Sequence, residues 1–315
     1  MRCTRLYLLC LAACGGCAWT YYSSKRLLPP HGRLLAHDHH EEGWGPSRRH
    51  PPCCAWDDEE RHLNDPVHCN ASDWNSEDYA GRPHSLAYSG GHSCSCASHN
   101  HTFHSRHLPP WSAARFCAAL GGQRRILMVG DSTMQQTASA LMSLIAFTGG
   151  RCQTQIHFGM GDTLVGRELG VLNRGRPWTE WARRLAPGDV LVLSAGPHIM
   201  RPPSAFEAVL DEVLREHNAS FGHLRLAWRS QFPGGCGRAD DSAAHYNYRH
   251  FKAWDRLARS RAPAFLDLSP LYRRPDAHVG SAPGSAYSKD CLHFCQPILY
   301  DLVGKVFLRL IETLR

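Results

Sequence analysis

From Trp111 onward the chain alternates two hydrophobic patterns, and that alternation restricts its fold more than any other feature of the sequence. Ile126-Leu127-Met128-Val129 is a continuous apolar run closed by Gly130, after which Met134, Ala138, Leu141, Met142 and Ile145 recur at three- and four-residue spacing. A run without alternation suits a strand covered on both faces, and the spacing that follows paints one face of a helix. The pair returns downstream. Val190-Leu191-Val192-Leu193 follows the turn Pro187-Gly188-Asp189, and Phe206, Val209, Leu210, Val213 and Leu214 share a helical face. Leu224 to Trp228 reads as a strand, Phe251 with Trp254 as a helix, and Phe265-Leu266-Asp267-Leu268 as a further strand. Ile298, Leu302, Val303, Val306, Leu310 and Leu314 then define a closing amphipathic helix of about 17 residues. Strands alternating with helices demand right-handed crossovers, so residues 111–315 are expected to form an α/β domain, three layers (α/β/α) around a mostly parallel sheet. In such sheets ligands bind at the carboxyl ends of the strands.

The first 110 residues read differently. Residues 6–22 are an apolar run with Arg2 and Arg5 before it and Lys25 and Arg26 after it, an export segment over residues 1–25 that serves as a signal anchor or a cleaved signal peptide. Residues 26–52 are rich in Pro, Gly, His and Arg, include HDHHEE at 37–42, and read as a flexible stem. Residues 53–110 hold five cysteines and little apolar periodicity, which suits a small cysteine-rich lobe stapled by disulfides. Of the 14 cysteines, Cys3, Cys10, Cys14 and Cys17 lie in or beside the apolar run, leaving ten, an even number as an oxidised framework requires. Cys236, Cys291 and Cys295, with a lobe cysteine such as Cys94 or Cys96, are disulfide candidates whose connectivity stays open. Beside an export signal, Asn70, Asn100 and Asn218 become candidate glycosylation sites. The expected location is the secretory pathway, with the chain a type II Golgi membrane protein whose folded part faces the lumen, or else secreted.

Composition narrows the function classes. With 43% hydrophobic and 20% charged residues the chain is not wholly disordered, and the formal net charge of +7 comes from scattered arginines without interleaved aromatics, so no nucleic-acid partner is expected. The histidine-rich tract lacks spaced Cys or carboxylate ligands and reads as solvated, so no metal site is expected. Gly159-Met160-Gly161-Asp162 lacks the Lys-Ser/Thr of a phosphate loop and reads as a plain loop, with a second oxyanion glycine as the alternative.

Two segments carry chemistry. Gly130-Asp131-Ser132 falls where a strand ends and a helix begins; taken alone it also reads as a helix N-cap, but a serine there presents its hydroxyl among free backbone N–H groups able to hold an oxyanion. Asp290-Cys291-Leu292-His293-Phe294-Cys295 precedes the last helix, and its three-residue spacing lets Asp290 orient the His293 imidazole so that the other ring nitrogen serves a serine. A serine hydroxyl becomes a nucleophile only when such a base takes its proton.

These segments, with Gly196-Pro197-His198 after a hydrophobic strand, resemble the SGNH/GDSL hydrolase superfamily. Within it the chain looks like the PC-esterase branch that includes the plant trichome birefringence-like polysaccharide O-acetyltransferases. Arg274-Pro275-Asp276-Ala277-His278 is similar to that branch's R-P-D-G-H, DCLHFC followed by Pro297 to its D-C-x-H-W-C-x-P, and Trp228-Arg229-Ser230 with Pro233 to its arginine block. The resemblance implies an SGNH-like fold with Ser132 as nucleophile, His293 as general base and Asp290 orienting it, and backbone N–H groups of Ser132 and Gly196 as oxyanion donors. It also implies contacts to substrate from His198 and from Arg229, for which a structural salt bridge is the equal alternative, no bound cofactor, an acetyl donor (acetyl-CoA or an acetylated intermediate) as co-substrate, and a polysaccharide or glycan as acceptor. The implied function is a carbohydrate O-acyltransferase, with an acetyl esterase of the same fold and a non-catalytic glycan-binding module as alternatives. The sequence departs from the pattern at Ser194, where the superfamily has asparagine, at Gln135 and Gln136, where the plant enzymes have arginine and asparagine, and at Ile199, where they have tryptophan. The plant substrate is therefore not carried over.

Overall fold

The computed structural model describes residues 43–46, 101–166, 175–199, 203–235, 248–278, 291–294 and 296–314. In chain order its principal elements are β1 (Gly43–Pro46), β2 (His101–His104), α1 (Ala113–Leu120), β3 (Ile126–Gly130), α2 (Ser132–Phe147), β4 (Ile156–Met160) and α3 (Trp178–Ala182). They continue with β5 (Val190–Leu193), α4 (Pro203–Glu216), β6 (Arg225–Arg229), α5 (Tyr248–Arg261), β7 (Phe265–Leu266) and α6 (Gln296–Thr313).

Strands β3 to β7 form one sheet in the order β4-β3-β5-β6-β7, every neighbouring pair parallel. Ile126 lies opposite Ile156 on one side and Val190 on the other, and Val190 opposite Arg225. The chain first steps outward from β3 to β4, then returns past β3 to lay down β5 on its other side. That reversal opens a crevice between the carboxyl ends of β3 and β5, the position where doubly wound sheets bind ligands.

Side chains of successive strand residues point to opposite faces, which sorts the core into two layers. Ile126, Met128, Val190 and Val192 pack with Phe116 of α1, Met134 and Leu141 of α2, and Leu302 and Phe307 of α6. Leu127, Val129, Leu191 and Leu193 pack with Trp178 of α3, Phe206 and Leu210 of α4, and Trp254 of α5. Helices therefore cover both faces, as the α/β reading expects. On the second face Phe206 stacks on Trp254 and meets Trp228 edge-on. Each large side chain so buried contributes roughly 1.5–3 kcal/mol.

Several elements differ from the sequence reading. Gly159 and Met160, read as loop, belong to strand β4 at the edge of the sheet. The strand expected over 265–268 stops at Leu266, because Leu268 already caps a 3₁₀ turn over Ser269–Arg273 with Pro270 near its start. Helix α1, whose Ala113, Phe116, Ala119 and Leu120 share a buried face, was not anticipated, and neither was the five-residue α3. Cys117 on α1 is bonded to Cys152, just before β4, a pair outside the candidate set. Gly43–Pro46, inside the segment read as a stem, forms a strand antiparallel to β2. That ribbon is fixed to α6 through Phe103, whose N–H donates to Asp301 Oδ2 (2.7 Å) and whose carbonyl accepts from Lys305 Nζ (2.5 Å). Residues 1–42 lie outside the described residues, among which no helix is long and apolar enough to cross a membrane.

Candidate active site

The turn from β3 into α2 is shaped by two residues, Gly130 and Asp131. A Cβ on Gly130 would lie 2.7 Å from the Ser194 carbonyl oxygen and 2.9 Å from Met134 Cβ, so only glycine lets the end of β3 approach the end of β5 this closely. Asp131 is extended and caps α2, its Oδ1 accepting from the Thr133 N–H (2.8 Å) and the Thr133 hydroxyl (2.6 Å). With Asp131 as the cap, Ser132 becomes the first helical residue and its own side chain is spared that task.

Ser132 Oγ lies 2.7 Å from His293 Nε2, across 161 residues of chain, and both residues are buried, at 8% and 6% exposure. The His293 loop is held from several sides. The Gln136 side chain on α2 pairs with the backbone of Phe294 in both senses, donating from Nε2 to the carbonyl (2.5 Å) and accepting the N–H at Oε1 (3.1 Å). The Gly235 N–H donates to the Cys291 carbonyl (2.8 Å), and Cys291 is disulfide-bonded, its partner lying outside the described residues. The Phe294 ring sits between Phe232 and His278, which also bridges the Phe294 backbone. His278 is itself fixed, Nε2 on the Pro233 carbonyl (2.8 Å) and Nδ1 on that of Pro275 (3.0 Å), while Arg274 forks onto Asp276. The R-P-D-A-H segment thus forms a strut behind the histidine loop.

Arg229, at the end of β6, is fully buried beneath the nucleophile turn. Its Nη2 donates to Thr133 Oγ1 (2.7 Å) and Ser194 Oγ (3.1 Å), tying the start of α2 to the residue after β5, and its guanidinium lies 4.7 Å from the Phe232 ring centre. Desolvation lowers its pKa to about 10, opposed by the Asp131 and Asp255 carboxylates. Burial likewise raises the Asp255 carboxyl to about 8, opposed by the N–H of Gln231, which donates to its Oδ1 (2.8 Å), and by Arg229. Gly196 follows β5 at the same edge of the sheet. His198, two residues on, is buried, with Nε2 3.8 Å from Oδ1 of Asp162, which follows β4.

The structure therefore brings Ser132 and His293 together, and the ends of β3 and β5 place Ser132 and Gly196 on the two sides of the crevice. Asp290, Cys236, Cys295, Cys94, Cys96, Asn70, Asn100 and the HDHHEE tract lie outside the described residues. Asn218 is exposed in the turn His217–Phe221 that continues α4. Thr133, Gln136, Asp162, Gln231 and Asp255 escaped the sequence reading as site-building residues. A signal existed for Asp162, since Ile156, Phe158 and Met160 alternate with period two ahead of it; Gln136 drew notice only as a departure from the plant pattern. No protein-family model and no curated protein matches this chain. Among the described residues no group of three or more His, Cys, Asp or Glu side chains is placed to hold a metal ion.

Chemically, a hydroxyl 2.7 Å from a ring nitrogen can pass its proton to that nitrogen as it attacks a carbonyl carbon. Among the described residues no group accepts a hydrogen bond from the backbone N–H of Ser132 or Gly196. A developing oxyanion needs donors of that kind.

Proposed function

We propose that this chain is a luminal, membrane-anchored O-acyltransferase of SGNH-like fold that places an acyl group, acetyl in the first instance, on a carbohydrate hydroxyl. The observation that carries the reading is the buried 2.7 Å contact between Ser132 Oγ and His293 Nε2 at the crevice of a parallel sheet. Its support for the carbohydrate acceptor is the resemblance of the R-P-D-A-H and DCLHFC segments, and for the location the apolar run at residues 6–22.

In the first step Ser132 Oγ attacks the acyl carbonyl carbon while His293 Nε2 takes the hydroxyl proton. The N–H groups of Ser132 and Gly196 hold the resulting oxyanion. Its collapse breaks the bond to the leaving group, which receives the proton from His293, and leaves acyl-Ser132. In the second step His293 takes a proton from the acceptor hydroxyl as that oxygen attacks the acyl-enzyme, and returns it to Ser132 Oγ on release. Asp290, three residues before the base, is assigned to orient the imidazole. Arg229 keeps the two strand ends in register from beneath, a role its burial suits better than contact with a sugar.

The test incubates the full chain and its Ser132→Ala variant with p-nitrophenyl acetate and a panel of oligosaccharides, following free acetate and acetylated sugar by mass spectrometry. Serine-dependent acetyl-sugar is the expected product. Serine-dependent acetate alone reassigns the chain as an esterase, and a folded wild type that forms neither is a binding module.

A further inference from the structure

Gln231 is the second residue after β6, fully buried, and its side chain lies flat against the turn after β5. Its Nε2 donates to the Ala195 carbonyl at 2.6 Å, and a Cβ on Gly196 would fall 2.2 Å from its Oε1. The Ala195 carbonyl and the Gly196 N–H belong to one peptide group, and no peptide bond among the described residues is cis. In a planar trans peptide the C=O and N–H point in opposite directions. Whatever grips that carbonyl from behind therefore aims the N–H the other way.

We propose that Gln231 is the positioning residue of the oxyanion site: by holding the Ala195 carbonyl, its side-chain amide presents the Gly196 N–H to the acyl oxygen. The role rests on the acyl-Ser132 reading given above. A donor on the carbonyl also polarises the peptide and makes its N–H a stronger donor in turn. Gln231 is held in place for this, since its own N–H donates to Asp255 Oδ1 (2.8 Å) on α5, and β6 delivers it to the carboxyl edge of the sheet. Shape alone does not account for it. Its Oε1 is buried with no hydrogen-bond partner among the described residues, so a methionine of similar length would fill the space without stranding a polar atom. Reversing the amide would set Oε1 against the Ala195 oxygen, acceptor to acceptor, so the donor must face the peptide. Gly196 completes the arrangement, because any side chain there would displace the amide.

The test compares the full wild-type chain with Gln231→Met and Gln231→Glu on p-nitrophenyl acetate and on its thiono analogue, whose C=S sulfur accepts hydrogen bonds poorly. Removing a whole oxyanion donor costs about a hundredfold to a thousandfold in kcat, so misaiming one is expected to cost about tenfold to a hundredfold. The expected result is that loss in kcat on the oxygen ester, KM within about twofold, and a ratio of oxygen-ester to thiono-ester rates that falls by a similar factor. Equal losses on both esters, or no loss, overturn the role. If Gln231→Met does not fold, the isosteric Gln231→Glu, assayed above the range to which burial raises its carboxyl, gives the same reading with an acceptor in place of the donor. A wild type without Ser132-dependent turnover overturns the acyl-enzyme reading and this role with it, whereas an active wild type beside equally active variants overturns the role of Gln231 alone.

Discussion

At the scale of single residues, Asp131 shows why the two readings of Gly130-Asp131-Ser132 are not rivals. Asp131 spends its Oδ1 on the free N–H of Thr133 in the first turn of α2, as a cap does, and by doing so leaves Ser132 available to His293. Thr133 extends the arrangement, its hydroxyl donating to Asp131 and accepting from Arg229. Only the motif residues were legible beforehand, because a glutamine or threonine whose partner is a main-chain atom far away in sequence leaves no spacing to detect; Gln136 meets Phe294 across 158 residues. Asp255 makes a prediction at this scale. Its carboxyl, raised from 3.8 to about 8 by burial, keeps in the folded chain a proton that the unfolded chain releases. The associated stability is fully present below the unfolded value and is lost as pH rises through about 8. Relative to Asp255→Asn, the wild type should therefore lose on the order of a few kcal/mol between pH 5 and 9, read from urea unfolding midpoints. Parallel stability curves for the two proteins would contradict the assignment.

At the scale of elements, the strands buried on both faces were the plainest to read, whereas of the two edge strands β7 was read and β4 was not. β3 and β5 are uninterrupted aliphatic runs, whereas in β4 His157, half-buried at the sheet edge, and Gly159 interrupt the run and leave only the short alternation of Ile156, Phe158 and Met160. Burial, and after it the neighbouring Arg125 guanidinium, lower the His157 pKa, although Asp189 pulls the other way. α3 spans five residues, too few to show a helical period. The Cys117–Cys152 bond was illegible for a different reason, since spacing does not determine pairing. It closes a loop of 35 residues of separation that contains β3, the nucleophile turn and α2. Cross-linking such a loop limits the unfolded chain by about 3–4 kcal/mol. The Cys117→Ser/Cys152→Ser double variant should lose stability of that order in denaturant unfolding. An unchanged midpoint would mean that α1 and the start of β4 are held together by packing alone.

At the scale of the whole molecule, the strand order makes the site. A parallel sheet that reverses between β3 and β5 leaves one crevice, and the loops leaving those strands supply Ser132 and Gly196 to it. The C-terminal segment brings the third participant: α6 packs on the same face of the sheet as α2, and the residues just before it place His293 over the start of α2. Alternation of strands and helices was enough to anticipate the layers, and the local pattern of D-C-L-H-F-C enough to nominate the base, but their meeting depends on contacts spread across the domain. The most direct measurement of the central claim is intact-protein and peptide mass spectrometry of the full chain quenched during turnover of p-nitrophenyl acetate. The prediction is the added mass of one acetyl group on the peptide that contains Ser132, absent from Ser132→Ala and much reduced in His293→Ala. Turnover by the wild type with no acetyl on Ser132, or an equal rate from Ser132→Ala, would contradict it.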